Sequence, residues 1–259
     1  MRMMKKVLGT VTVLALSVSL LAGCGSTAAS PVSSAASTAA ESTTSSIVSE
    51  TTSAAADENA AAAAQLLNDL TGSYQELWPV ILADEYKQTW LDDCTALVGE
   101  DNAEAAFEKL SSMVTGDVYG EDAVKAYANG GGAYFCGFTN SLATLTFDGE
   151  TSTISGTDKD GNVLFSHTYH YIGMEPVRGL YEFQSDDADS GEFTYFFLAP
   201  DTSAETYHIE FRYGSDAEAL SQYDTGEYAY WLASGISTDC DQTMIDNCIK
   251  LFCTENLAG

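Results

Sequence analysis

The sequence predicts a mostly β protein with N-terminal helices, an α+β chain in which an antiparallel barrel carries helices packed outside it. Three observations predict this. Apolar residues recur at three and four over residues 60–128, the helical period. From residue 134 onward, short aromatic and β-branched runs follow one another at a spacing of roughly 10–15 residues, with Asp148-Gly149 and Asp160-Gly161 as turns. Of the 259 residues, 45% are hydrophobic, enough for a real core.

Two segments precede the folded part. Arg2, Lys5 and Lys6 form a basic start, Val7 to Leu20 an apolar run, and Leu21-Ala22-Gly23-Cys24 a small-residue site. The run is short for a membrane span and suits a signal peptide. This pattern resembles bacterial lipoprotein signals, which implies loss of residues 1–23 and lipidation of Cys24. Several acyl chains at ~0.8 kcal/mol per buried CH₂ anchor a protein stably to a membrane. The expected place is the extracytoplasmic face of the cell membrane. In residues 25–56, 25 of the 32 residues are Ser, Thr or Ala and none is aromatic, so the segment cannot offset its ordering entropy by burial. With Cys24 it reads as a disordered linker over 24–56, with a span of roughly 30 Å as a flexible coil. The folded domain is expected over 57–259.

The net charge is −28, and 38 acids face 10 cations. Three of those cations lie in the signal segment, so the domain is more acidic still. A nucleic-acid partner is excluded, because a polyanion must be met by Lys and Arg.

Within the domain, Asp57-Glu58-Asn59 starts a helix through Leu70, and Thr71-Gly72-Ser73 breaks it. Tyr74, Leu77, Trp78, Ile81, Leu82, Tyr86 and Trp90 predict a second helix. A third fits 102–114 and a fourth 121–128, ended by Gly130-Gly131-Gly132. Strands are then expected over 134–138, 142–147, 151–156, 163–172, 179–184, 193–198 and 206–213. A short helix fits 216–223, an extended aromatic segment 226–232, and an amphipathic helix 241–252. The aromatic strand residues are read as barrel filling.

The candidate chemistry is sparse. The three histidines are His167, His170 and His208, each on an expected strand. His208 and Glu210 are two apart, on one face, with roughly 6–7 Å between Cα atoms, a workable bite for one metal ion. His167 and His170 are three apart and fall on opposite faces, so one of them could be a third ligand. Asp158-Lys159-Asp160-Gly161 begins like a calcium loop, but Tyr169 stands where the twelfth-position Glu belongs, so it reads as a hairpin turn. Asp186-Asp187-Ala188-Asp189 reads as a solvated loop with at most weak cation affinity. Besides Cys24, the odd set Cys94, Cys136, Cys240, Cys248 and Cys253 leaves at least one thiol unpaired within the chain, and the pairing is open. Cys248 and Cys253 cannot bridge along an intact helix. No phosphate loop, nucleophile elbow or His-Glu-x-x-His motif occurs, so the chain is expected not to be an enzyme.

An ordered set of segments resembles the ZinT family of zinc-binding domains, in the calycin superfamily related to lipocalins. The segments are Leu70-Thr71-Gly72-Ser73-Tyr74-Gln75-Glu76-Leu77-Trp78-Pro79, Val177-Arg178-Gly179-Leu180-Tyr181-Glu182-Phe183, Phe196-Phe197-Leu198-Ala199-Pro200, and Tyr207-His208-Ile209-Glu210-Phe211 with Gly214-Ser215-Asp216. Tyr228-Ala229-Tyr230-Trp231 and the last helix fit its C-terminal end. The resemblance implies a calycin, lipocalin-like barrel and zinc as the bound ion, with a metal transporter as onward partner. The family's three zinc histidines fall on Phe196, His208 and Glu210, so only His208 is kept and the site is incomplete. The set His208, Glu210 and His167 or His170 is the expected metal site, and capture of a divalent cation the expected function. The other reading is a barrel with a decayed site that binds an apolar small molecule or serves as a surface interaction module.

Overall fold

The computed structural model describes residues 58–199 and 208–258. The signal segment, Cys24 and the Ser/Thr/Ala-rich linker lie outside the described residues.

Helix α1 (residues 58–69) is followed by β1 (Gly72–Glu76), α2 (Leu77–Ile81), a 3₁₀ turn at Asp84–Tyr86, α3 (Lys87–Val98), α4 (Glu100–Val114) and α5 (Glu121–Ala128). Then come β2 (Thr144–Asp148), β3 (Thr153–Thr157), β4 (Val163–Met174), β5 (Tyr181–Ser185), β6 (Tyr195–Leu198), β7 (His208–Gly214), α6 (Ala217–Leu220), β8 (Ala233–Ser237) and α7 (Gln242–Leu257). The eight strands pair antiparallel in chain order, and β8 returns to β1. The result is a closed up-and-down barrel, with no free sheet edge among these strands. No helix among the described residues is long and apolar enough to cross a membrane.

Strand periodicity divides the core in two. Inward positions such as Tyr74, Phe147, Ile154, Phe165, Tyr169, Phe183, Phe196, Phe211 and Tyr213 fill the barrel, joined by Leu66 and Leu67 of α1 and Leu70 just after it. Their rings touch: Phe196 lies 5.3 Å from Tyr213 and 5.4 Å from Tyr169, centre to centre. The second core lies outside the barrel, where Ile236 of β8 meets Trp78 and Ile81 of α2, Trp90 and Cys94 of α3, Leu110 of α4, and Ile245, Ile249 and Cys253 of α7. Trp90 is fully buried and its indole N–H donates to the Ile81 carbonyl at 2.7 Å, so packing and hydrogen bonding both fix α3 against α2. Capping follows the acids: Asp241 accepts from Met244 N–H at the start of α7, and Asp216 from Glu218 and Ala219 N–H at the start of α6.

The fold class is the one the sequence predicts, but four elements differ. The expected second helix, Tyr74 to Trp90, is split: Gly72–Glu76 is strand β1, and only Leu77 onward is helical. The helical-period residue Tyr74 is inside the barrel, opposite Leu145 and Ser237, so tertiary pairing overrides local pattern. Residues 134–138 are not a barrel strand; Phe135 makes isolated bridges to Thr115 and Trp231. Residues 226–232 are mostly turns. Strand β8, Ala-Ser-Gly-Ile-Ser, is, like β1, a strand that the sequence pattern does not announce. The hairpin at Asp158 is confirmed: its carboxylate accepts from the backbone N–H of Asp160 and Asn162 and from the Asn162 amide.

Candidate metal centre

Strand β7 places His208 and Glu210 as its alternation requires. Ile209, Phe211 and Tyr213 enter the barrel, so His208, Glu210 and Arg212 face outward. His208 and Glu210 are half-buried and each has a further polar or electrostatic partner. Glu210 pairs across the sheet with Ser234, and Ser234 N–H donates to the carbonyl of Cys136. That bond sets Cys136 along the edge of β8 that β7 leaves open.

Two thiols respond to Glu210. Burial pushes the Cys136 thiol up to about 12, and the Glu210 charge adds to the shift. Cys248, on the inner face of α7, is also pushed up to about 12, first by burial and then by Glu210. At both thiols burial is the larger cause and the Glu210 charge the smaller one. Beside Cys136 lies the buried Trp78 indole N–H, at the wall of an open cleft of about 280 Å³ that Glu76, Val114 and Phe135 also line. The sequence offered one signal for these neighbours, the odd cysteine count, and no way to place it.

His167 and His170 lie elsewhere. The cross-strand rows run His170 to Gln184, Gln184 to Tyr195, and Tyr195 to Gly214. Gly214 is six residues from His208 on β7, which puts about 20 Å of strand between the two levels. No single ion spans that. The opposite-face expectation holds: His167 is on the side of Phe165 and Tyr169, and His170 is outside and exposed. Each takes an aspartate of the β5–β6 loop. His167 Nδ1 is 2.7 Å from Asp187 Oδ2, and His170 Nδ1 is 2.6 Å from Asp186 Oδ1. The loop read as freely solvated is therefore tied to β4 on both of its faces.

Phe196, aligned with the first zinc histidine, is fully buried in the barrel and faces away from His208 and Glu210. Among the described residues, no group of three or more His, Cys, Asp or Glu is drawn close enough to hold a metal ion. The fit to zinc is therefore incomplete: a His-x-Glu pair, not an assembled cage.

Fold and site define a closed eight-strand up-and-down barrel with an acid–imidazole pair on its outer wall. Solved structures similar to the chain include two that bind zinc. One is the Zn(II)-bound ZinT-like domain of Streptococcus pneumoniae AdcA, at 16% identity and a TM-score of 0.45, covering 71% of this chain and 89% of that one. The other is Zn(II)-bound AdcA from the same organism, at 14% identity and a TM-score of 0.43, covering 72% of this chain. The chain spans 35% of the length of that second structure. No family model and no curated protein sequence matches the chain.

Proposed function

We propose that the protein is a non-enzymatic, lipid-anchored domain that captures a divalent cation, zinc in the first place, at the outer wall of its barrel. The observation that carries this reading is the shared outward face of His208 and Glu210 on β7. Imidazole nitrogen and carboxylate oxygen are both zinc donors, and their spacing along one strand suits a single ion. Two protein ligands with water bind weakly, and a firm site needs three or four. Among the described residues no third His, Cys, Asp or Glu completes the pair, so the reading rests on His208 and Glu210 with water. Zinc here is cargo, and a membrane transporter is the class of partner that would receive it. Anchoring through Cys24 and the linker would hold the barrel at the extracytoplasmic face.

A barrel that encloses an apolar ligand has less support, because contacting aromatic rings already occupy the interior. Calorimetric titration of the full-length chain with zinc at neutral pH tests the proposal. Binding tighter than about 1 mM is expected; no heat in that range rejects cation capture.

A further inference from the structure

We propose that Cys94 and Cys253 form a disulfide that ties helix α3 to the C-terminal helix α7. The two sulfurs are 3.9 Å apart, in van der Waals contact, and both side chains are fully buried. Bonding requires an S–S distance of 2.03–2.05 Å, so the sulfurs need approach by only about 1.9 Å in total. Neighbouring rings hold the two helix segments together without help from the sulfurs. Trp90 lies one turn before Cys94, and its ring is 6.0 Å from Phe252, the residue beside Cys253. Phe252 also meets Trp78 edge-on at 4.7 Å. Cys94 and Cys253 are the sulfur pair in contact among the described cysteines, and Cys248 cannot reach Cys253 along the intact helix.

The reaction is thiol–disulfide exchange with a small disulfide or a disulfide oxidoreductase as the oxidant. The thiolate of one cysteine attacks the oxidant's disulfide, forms a mixed disulfide and expels one thiolate, which takes up a proton. The second cysteine thiolate attacks the mixed disulfide at the protein sulfur, closes Cys94–Cys253 and expels the second thiolate, which is likewise protonated. Two protein thiols are oxidised and one external disulfide is reduced to two thiols. Burial raises the thiol pKa at both positions and keeps the sulfurs protonated in the folded chain. Exchange therefore occurs before α7 docks, and the finished bond is then shielded from external thiols. Its ends are 159 positions apart, so all eight strands but β1 lie inside the closed loop. The inference is independent of the metal reading.

The test is refolding of the reduced full-length chain in a glutathione redox buffer, followed by alkylation, trypsin digestion and mass spectrometry. Peptides 88–109 and 251–259 are expected as one linked species that separates on reduction. Wild type refolded and kept in reductant is expected to melt on the order of 10 °C below wild type refolded in the redox buffer, the size expected for so long a closed loop. A Cys94→Ser, Cys253→Ser double variant should melt at the same temperature with and without reductant. Alkyl or glutathione labels on both cysteines of the refolded wild type, or either peptide linked instead to Cys136, Cys240 or Cys248, would overturn the assignment.

Discussion

The guanidinium of Arg212 lies 4.3 Å from the ring centre of Tyr223, beneath the excursion that joins β7 to β8. Arg178 lies over the same ring at 4.4 Å, and the Tyr223 hydroxyl donates to the buried Glu175 carboxylate at 3.4 Å. Arg212 is fully buried and donates to the carbonyls of Leu220, Gln222 and Tyr228. Its fork thus organises the backbone of residues 215–231, which carries few regular hydrogen bonds of its own. Arg212→Ala leaves those carbonyls unpaired in a dry site and should cost about 3 kcal/mol. Arg212→Lys, with a point charge in place of a planar fork, should recover only part of this. Urea denaturation checks both, and a loss below 1 kcal/mol for the alanine variant would show that water or neighbours satisfy the carbonyls.

Alkaline pH should unfold the protein through its buried tyrosines. Burial pushes Tyr74 up to about 12, and burial together with the Glu175 charge pushes Tyr223 up to about 12. The unfolded phenol titrates near 10. A raised folded value means that the folded state holds its protons more tightly, so this contribution is fully present below pH 10. It falls away between about pH 10 and 12 as the unfolded chain ionises first. Denaturation curves across that window, read with tyrosinate absorbance, should show cooperative unfolding; tyrosines that titrate freely near 10 in the folded state would contradict the burial.

Gly149, in the β2–β3 turn, should not tolerate a side chain. A Cβ there would sit 2.4 Å from the Asn68 Cα and 2.6 Å from the Leu67 carbonyl oxygen of α1, and the Gly149 N–H donates to Thr71 Oγ1. Both obstructing atoms are backbone, so helix or turn has to move. Gly149→Ala should destabilise by about 1–3 kcal/mol; an unchanged thermal midpoint would show that α1 gives way freely.

The pattern of these constraints explains what the sequence could show. Strands β2 to β7 announce themselves by alternation and by Asp-Gly turns, and α7 by an Asp cap and its apolar stripe. The two strands that close the barrel, β1 and β8, are the ones the pattern hides. Tyr74 shares a helical spacing with Leu77, Trp78 and Ile81, and Ala233 to Ser237 is built of small residues with a single β-branched one. Both are strands because each finds the other and a finished neighbour. The site was half legible. The common face of His208 and Glu210 follows from strand periodicity alone. The distance to His167 and His170 depends on register across four strands, which is not a local property.

The His170–Asp186 pair of β4 should contribute little to stability. His170 and Asp186 are both more than half exposed, where an ion pair is worth about 0–1 kcal/mol. His170→Ala should shift the urea midpoint marginally while raising the protease sensitivity of the β5–β6 loop. A loss above 2 kcal/mol would mean that the loop is a structural part of the barrel end.

The central claim is that cation donors sit on the outer wall of β7 and not at the β4 end. Zinc affinity of the wild type, His208→Ala, Glu210→Gln and the His167→Ala, His170→Ala double variant measures this directly by calorimetry. Loss of either β7 donor should weaken binding by about tenfold or more, equivalent to about 1.4 kcal/mol, with the double β4 variant unchanged. Unchanged affinity in both β7 variants, or a tenfold loss in the β4 variant, would contradict the account.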